Sequence, residues 1–312
     1  MKKSLFLFLF LALFINLTYT QKSPVGVLRT NLTLLCVAAH PDDEDGATLA
    51  YYSKIMGYNA YTIFYTRGEG GQNEIGAELN DELGRIREQE CYNAAAIQGS
   101  IPYFLGCLDF GYSKTAKETF RFWGGKDSVL QKIVYMIRVI RPDVIISNHD
   151  TITTKPNRQH GHHQAVGITI FEAFDKAADP FYHQEQLVNG ITPWQIKKLF
   201  IRTDDTTKTS GIFTVDIYQN DAAGKTMFET SVEALNQHKT QGMDKLDWKN
   251  IPDVAKERHY ELIRSDKMYP LEGNDLFEGL VPNEKLDVKL ESFTTYYNYK
   301  KVNPQDSMRL LK

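Results

Sequence analysis

A histidine and three carboxylates follow one short apolar segment closely enough to act on a single ligand. Residues 34–39 are apolar or small, and His40-Pro41-Asp42-Asp43-Glu44 comes directly after them. A run of this length and composition predicts a fully buried strand. Ligands of open parallel sheets bind beyond the carboxyl ends of the strands, so we expect these charged residues in a binding crevice.

His40 and Asp43 offer the nitrogen and carboxylate donors that zinc accepts, on a turn short enough to aim both at one point. A catalytic zinc site has three protein ligands and an open position for water, and Asp42 would be free to take a proton from that water. The competing interpretation is a polar loop whose carboxylates cap the next helix, predicted over residues 45–56. These residues alone leave both interpretations open.

A third ligand would decide between the two interpretations, and a candidate lies far downstream. Segment 158–166 contains three histidines within four residues, and it comes after a second apolar strand at residues 144–147. A histidine in the first turn of the following helix, predicted over residues 163–177, can reach a metal held at the neighbouring strand end. A lone histidine is more often structural, but three together favour a metal site.

The two segments together resemble the PIG-L/LmbE family of zinc-dependent N-acetylglucosaminyl deacetylases. The string Ala-His-Pro-Asp-Asp-Glu at residues 39–44 is highly specific for that family, and the resemblance covers residues 34–174. It implies three ligands for one Zn²⁺ per chain, with Fe²⁺ as the alternative metal: His40, Asp43 and His163. It also implies that Asp42 is the general base and that His160 assists the oxyanion and the leaving amine.

One position departs from the family pattern. The family has an aspartate just before the last histidine, where it orients and charges the catalytic histidine, and this chain has His162 there. A histidine supplies no fixed negative charge, so we expect the protonation of His160 to depend differently on pH. We expect the three ligands to be unaffected.

Three further residues are expected to contact the substrate. Arg87 and Glu90 lie on a polar helix predicted over residues 77–98, where the family places an arginine and a glutamate three residues apart. Asp109 follows a third strand, predicted over residues 101–105. The aromatic residues between Asp109 and residue 125 could stack on sugar rings, or they could anchor an irregular loop to the core.

The elements around these segments predict an α/β fold. Strands and helices alternate through the first half, which favours a Rossmann-like, mostly parallel sheet with helices on both faces. Residues 21–194 are the predicted deacetylase core. Residues 195–312 are expected to be a C-terminal α+β elaboration of the same domain, with strands at 197–202 and 213–218 and a helix at 230–241 that carries His238 on its polar side.

The composition and the first twenty residues bear on location and partners. The 312 residues are 42% hydrophobic and 24% charged with a net charge of −3, which is an ordinary globular composition without a nucleic-acid footprint. Residues 1–20 combine two lysines with an apolar run that is short for a membrane span. They predict a signal peptide and an exported protein, periplasmic or secreted, without stable membrane insertion. Nothing in the sequence reports on the oligomeric state.

The resulting hypothesis is a metal-dependent amidohydrolase that removes an acetyl group from an N-acetylated sugar, a glycoconjugate or a sugar-like amine. The substrate class comes from the resemblance, whereas the hydrolytic chemistry comes from the residues. One alternative is an iron(II) oxygenase, because two histidines and a carboxylate also form its metal site, although such sites usually lie in antiparallel barrels. The other is an exported carbohydrate-binding protein with a non-catalytic metal site.

Overall fold

The computed structural model describes residues 31–150, 159–204, 211–247, 257–269 and 273–281. The predicted leader at residues 1–20 and the segment 151–158 lie outside the described residues. Within the described ranges, no helix has both the length and the apolar character that a membrane crossing requires.

The described residues form one mixed sheet of seven strands. The strands are β1 (Thr33–Ala38), β2 (Asn59–Phe64), β3 (Ile101–Phe104), β4 (Val144–Ser147), β5 (Lys198–Thr203), β6 (Ile212–Thr214) and β7 (His259–Ser265). Their order across the sheet is β3-β2-β1-β4-β5-β7-β6. Strands β1 to β5 run parallel, β7 is antiparallel to β5, and β6 is antiparallel to β7. The predicted Rossmann-like, mostly parallel sheet is confirmed.

Helices cover both faces of this sheet. They are α1 (Gly46–Ala50), which continues as a π-helical turn (Tyr51–Ile55), α2 (Asp81–Gln98), α3 (Ala116–Phe122), α4 (Lys126–Ile140), α5 (Gly161–Lys176) and α6 (Met227–Leu235). Helices α1 and α2 contact α6, whereas α3, α4 and α5 contact one another. Alternate residues of β1 enter the two resulting cores, with Leu35 and Val37 on the α4–α5 side and Leu34 and Cys36 on the α1–α6 side. All six residues of β1 are buried, as expected for a strand covered on both faces.

Several elements differ from the predictions in their bounds or existence. Helix α3 lies in the stretch that we took for an irregular aromatic loop, where Thr115 caps it by accepting from the Glu118 amide. The helix predicted over residues 230–241 begins earlier, at a capping box formed by Thr226 and Glu229, and ends at Leu235. His238 is therefore past the helix and fully buried rather than on a polar face. Strand β7 was not predicted.

Candidate active site

The candidate site lies beyond the carboxyl ends of β1 and β4. Strands β2 and β3 lie on one side of β1, and β4 and β5 lie on the other, so the direction of strand order reverses between β1 and β4. Such a switch point opens a crevice in parallel sheets. His40 follows β1 and His149 follows β4, while His160 caps the start of α5. A side chain at Gly161 would collide with Thr115 and Thr119, so glycine lets α5 begin this close to the loop before α3.

Three donor atoms of the expected ligands form a compact triangle. His40 Nδ1 lies 3.0 Å from Asp43 Oδ2, and His163 Nε2 lies 3.4 Å from both of these atoms. Ligands about 2.0–2.1 Å from a tetrahedral zinc ion are roughly 3.3 Å apart. The separations and the mixture of two nitrogens with one carboxylate oxygen therefore fit one divalent metal ion.

The neighbouring histidines keep the Asp43 carboxylate ionised. Burial opposes ionisation, but the attraction of His163 and hydrogen bonds from His163 and His40 keep the pKa of Asp43 well below its usual value. Its Oδ2 atom also accepts the backbone N–H of His40 at 2.9 Å, which closes the turn. The carboxylate is therefore ionised at neutral pH, and its Oδ2 atom is held by His40.

Asp42 lies on the same turn in an unusual backbone conformation. Its φ of 85° is in the left-handed region, which non-glycine residues adopt at a cost. The Glu44 carboxylate holds this conformation by accepting the Asp42 N–H at 3.1 Å. Burial and then the neighbouring Asp43 carboxylate raise the pKa of Asp42 to about 7. A carboxylate with such a pKa is suited to accept and return a proton near neutral pH.

His160 lies at the mouth of the site as a neutral imidazole. Burial, followed by the nearby His163, lowers its pKa to about 4. Its Nδ1 accepts the backbone N–H of His162 at 3.4 Å, which assigns the ring proton to Nε2. His160 can therefore donate a hydrogen bond at neutral pH, but it carries no positive charge there.

His162, the residue that departs from the family pattern, lies against one of the expected ligands. Its imidazole reaches across to His40, with 2.9 Å between His162 Nδ1 and His40 Nε2. The ring is fully buried between Phe110 and Trp123, and burial lowers its pKa to about 2. The residue that departs from the family pattern thus contacts the expected ligand His40 through its side chain.

His149 is a site residue that the sequence interpretation missed. It is buried at the end of β4, where its Nε2 accepts the Ala39 N–H at 3.0 Å and lies 3.6 Å from Asp43 Oδ2. Its ring stacks on His163, with 4.2 Å between the ring centroids. Its position directly after the second apolar strand was a usable signal, because that is where His40 stands after the first.

The described residues contain three overlapping groups of side chains that could hold a metal ion. These groups are His40–His160–His163, His40–Asp109–His162 and Asp43–His149–His163. In the last group, the His149 lone pair is already used by the Ala39 amide. His40 and His163 each belong to two of these groups, whereas Asp43 belongs to one.

A cleft of about 400 Å³ opens over this cluster. It is lined by His40, Asp42, Asp43, Gly70, Gly71, Gln72, Arg87, Asp109, Gly111, Tyr112, His160, His163 and Gln241. Of the three expected substrate contacts, Arg87 and Asp109 line the cleft. Glu90 does not line it, because its buried carboxylate accepts both the N–H and the hydroxyl of Thr240.

The aromatic residues near the cleft divide into two groups. Phe110 stacks on Phe122 with 4.2 Å between the ring centroids, and the buried Trp123 donates its indole N–H to the Leu108 carbonyl. These rings anchor the chain to the core, as one of our two interpretations expected. Tyr112 is different, because it lines the cleft and is 73% exposed.

Comparisons with known proteins identify a matching family and similar sequences. The PIG-L family, described as GlcNAc-PI de-N-acetylase, matches residues 35–174. A 1D-myo-inositol 2-acetamido-2-deoxy-alpha-D-glucopyranoside deacetylase from Thermobispora bispora is 32% identical over 54% of this chain and 57% of its own length. The protein of the same name from Thermobifida fusca is 33% identical over 54% of this chain and 60% of its own length. The chain thus spans little more than half of these curated relatives.

A solved structure supports the fold. The N,N'-diacetylchitobiose deacetylase from Pyrococcus horikoshii superimposes with a TM-score of 0.54, covering 74% of this chain and 83% of that chain at 19% identity. The likeness confirms the α/β architecture across most of the described residues.

The comparisons also correct the predicted localisation. The curated relatives are enzymes of the cytoplasmic type, so the prediction of an exported, periplasmic or secreted protein is wrong. That prediction relied on the two lysines and the apolar run of residues 1–20 alone. The PIG-L deacetylases are metal-dependent, which agrees with the histidine and aspartate groups at the strand ends. Residues 35–174 of this chain match the PIG-L family and carry a PIG-L domain.

Proposed function

We propose that this chain is a zinc-dependent hydrolase that removes the acetyl group from an N-acetylated sugar amine of the N-acetylglucosamine type. The observation that carries the proposal is the triangle of donor atoms from His40, Asp43 and His163, with Asp42 lining the same cleft. The names of the curated relatives, deacetylases of an acetamido sugar linked to inositol, support the substrate class.

The proposed ligands are His40 through Nδ1, Asp43 through Oδ2 and His163 through Nε2. A zinc ion bound there would polarise the amide carbonyl and lower the pKa of a water molecule to near 7. Fe²⁺ is the alternative, because nitrogen and carboxylate donors also suit that ion.

Asp42 would act as the general base. It neighbours the ligand Asp43, lines the cleft and has its pKa raised to about 7 by burial, which matches the requirement for accepting a proton at neutral pH. The same carboxyl group, once protonated, could return the proton to the departing amine. Asp42 would therefore act first as the general base during attack and then as the general acid when the amine leaves.

His160 would stabilise the oxyanion as a hydrogen-bond donor. Because its pKa lies near 4, it is neutral at pH 7 and its Nε2 proton is the group that it can offer. A donor aimed at the developing negative charge helps the transition state more than the ground state. With His160 neutral, protonation of the leaving amine falls to Asp42.

The substrate would occupy the cleft above these residues. The exposed ring of Tyr112 offers an apolar face at the cleft wall, and sugars present C–H surfaces to such rings. Asp109, whose Oδ1 accepts the Gly111 N–H at 2.8 Å, would face sugar hydroxyls with its second oxygen. Arg87 is a weaker candidate for substrate contact, because its guanidinium already donates to the Gly68 and Gln72 carbonyls.

The proposed domain organisation is one domain in which residues 195–312 elaborate a core at residues 21–194. The sheet supports it, because β5, β6 and β7 extend the same sheet as β1 to β4. Helix α6 also packs on α1 and α2 from the core.

The test is acetate release by the metal-loaded protein from N-acetylglucosamine, N,N'-diacetylchitobiose and an N-acetylglucosaminyl inositol. Asp42→Asn is the decisive variant, since asparagine tolerates the left-handed backbone and keeps the turn. We expect it to bind zinc like the wild type and to lose about 10²- to 10⁴-fold in kcat. Asp244→Asn, at an exposed position away from the cleft, is the matched control. Full activity in Asp42→Asn, or no release from any substrate by zinc-loaded wild type, would contradict the proposal.

A further inference from the structure

A short segment outside the matched family region, residues 238–241, contacts the turn that carries the proposed catalytic groups. Three of its four side chains point inward: His238 and Thr240 are fully buried, and Gln241 lines the cleft. Lys239, between them, is exposed. The segment follows α6 and includes a 3₁₀ turn (Lys239–Gln241).

His238 is linked to Asp42 through Glu44. His238 Nε2 lies 3.2 Å from Glu44 Oε1, and this same oxygen accepts the Gln98 amide at 3.2 Å. The other oxygen of Glu44 accepts the backbone N–H of Asp42. Because Asp42 is held in the left-handed region, the position of Glu44 decides whether this turn keeps its shape.

Gln241 holds the same turn from a second direction. Its Nε2 donates to the Pro41 carbonyl at 2.7 Å, one residue before Asp42. The segment thus holds both ends of the Pro41–Asp42 peptide, the carbonyl directly through Gln241 and the N–H indirectly through His238 and Glu44.

Thr240 connects the segment to the opposite wall of the cleft. Its hydroxyl donates to Glu90 and accepts from Arg87 Nε, and its carbonyl accepts the Glu74 N–H. Arg87 in turn donates to the Gly68 carbonyl in the loop at residues 68–71, which contains three glycines. The segment therefore contacts the turn at residues 40–44 directly and the loop at residues 68–71 through Arg87.

The chemistry of His238 argues against a role as simple core filling. Its Nδ1 is buried and has no hydrogen-bond partner among the described residues. A buried polar atom without a partner is unfavourable, and an apolar side chain of similar size would avoid that cost. What an apolar residue cannot supply is the hydrogen bond to Glu44.

We propose that His238 and Gln241 are positioning residues that fix the turn at residues 40–44, and with it the proposed base Asp42 and ligand Asp43. This inference rests on the proposed function for its catalytic consequence. It assigns the C-terminal elaboration a direct part in building the active site. His238 and Gln241 act through the turn and touch neither metal nor substrate in this scheme.

The experiment compares His238→Leu, His238→Gln and Gln241→Met with Lys239→Ala as the control on the same segment. Zinc affinity is measured by competition with a chelator, and kcat and KM are measured separately for acetate release. We expect His238→Leu to weaken zinc binding about tenfold, as for other residues that orient ligands, and to lower kcat more than KM changes. His238→Gln, whose amide retains a donor for Glu44, should restore most of both losses.

Gln241→Met should show the same losses to a smaller extent, and Lys239→Ala should match the wild type. If His238→Leu does not fold, Gln241→Met decides, since its position is partly exposed. Wild-type zinc affinity in both variants would overturn the inference. Zinc affinity does not depend on the substrate, so a wild type that releases no acetate would refute the proposed function while the positioning role is still tested.

Discussion

Replacing His162 by leucine should weaken zinc binding, because His162 can accept the ring proton of His40 when His40 binds the metal. In the metal-free protein, His40 can place its proton on Nδ1 and donate it to Asp43 Oδ2, 3.0 Å away. Binding a metal at Nδ1 forces the proton onto Nε2, where His162 Nδ1 accepts it at 2.9 Å. Leucine fits the apolar pocket formed by Phe110 and Trp123, but it removes this acceptor.

In the metal-bound form, the leucine variant would leave the Nε2 proton of His40 without this acceptor. A buried donor left without an acceptor costs about 1–3 kcal/mol, which corresponds to roughly a 5- to 150-fold loss of affinity. The loss is measured as the zinc dissociation constant by chelator competition in wild type and His162→Leu. His162→Asn is the matched control, because its side-chain oxygen can replace the Nδ1 acceptor.

We expect the asparagine variant to bind zinc within a few-fold of the wild type, and the leucine variant to bind more weakly than both. Equal affinities for leucine and wild type would refute the argument. They would mean that His40 binds through another atom or that the His162 contact does not orient it.

Two further predictions concern the cleft wall and the stability of the sheet. Tyr112→Ala should raise KM for an acetamido sugar about 3- to 10-fold with little change in kcat, because a stacking ring contributes about 1 kcal/mol, whereas Tyr112→Phe should keep the wild-type KM. A change confined to kcat in Tyr112→Ala would contradict the stacking role. Lys198 is fully buried against Phe213, with its Nζ donating to the Glu278 carbonyl at 2.6 Å, and burial lowers its pKa to about 8. Between pH 8 and 10 the unfolded chain keeps the Lys198 proton that the folded chain has lost, so the free energy of unfolding should rise with pH by about 2–3 kcal/mol relative to Lys198→Met. Urea unfolding of both proteins across this range measures the difference, and parallel pH profiles would show that Lys198 titrates normally.

Local sequence determined the architecture of the first half and most of the residues in the site. The apolar run of β1 and the strand–helix alternation predicted a parallel sheet, because a strand buried on both faces appears in the sequence as a continuous apolar run. The strand-end rule then placed His40, Asp42 and Asp43 in a crevice, and three clustered histidines at the start of α5 pointed to the same place. These inferences needed only neighbours in the chain.

Tertiary structure alone decided how the site is supported. His149 meets the Ala39 amide across 110 residues, His238 meets Glu44 across 194, and Gln241 meets Pro41 across 200. Sequence periodicity does not reveal such pairs, because it reports only on residues within one segment. The part that His162 plays shows the same limit: its type and position were evident, but only the packed fold brought its ring to His40. Residue types and spacing therefore predicted the chemistry, whereas contacts between distant segments decided the geometry in which it can occur.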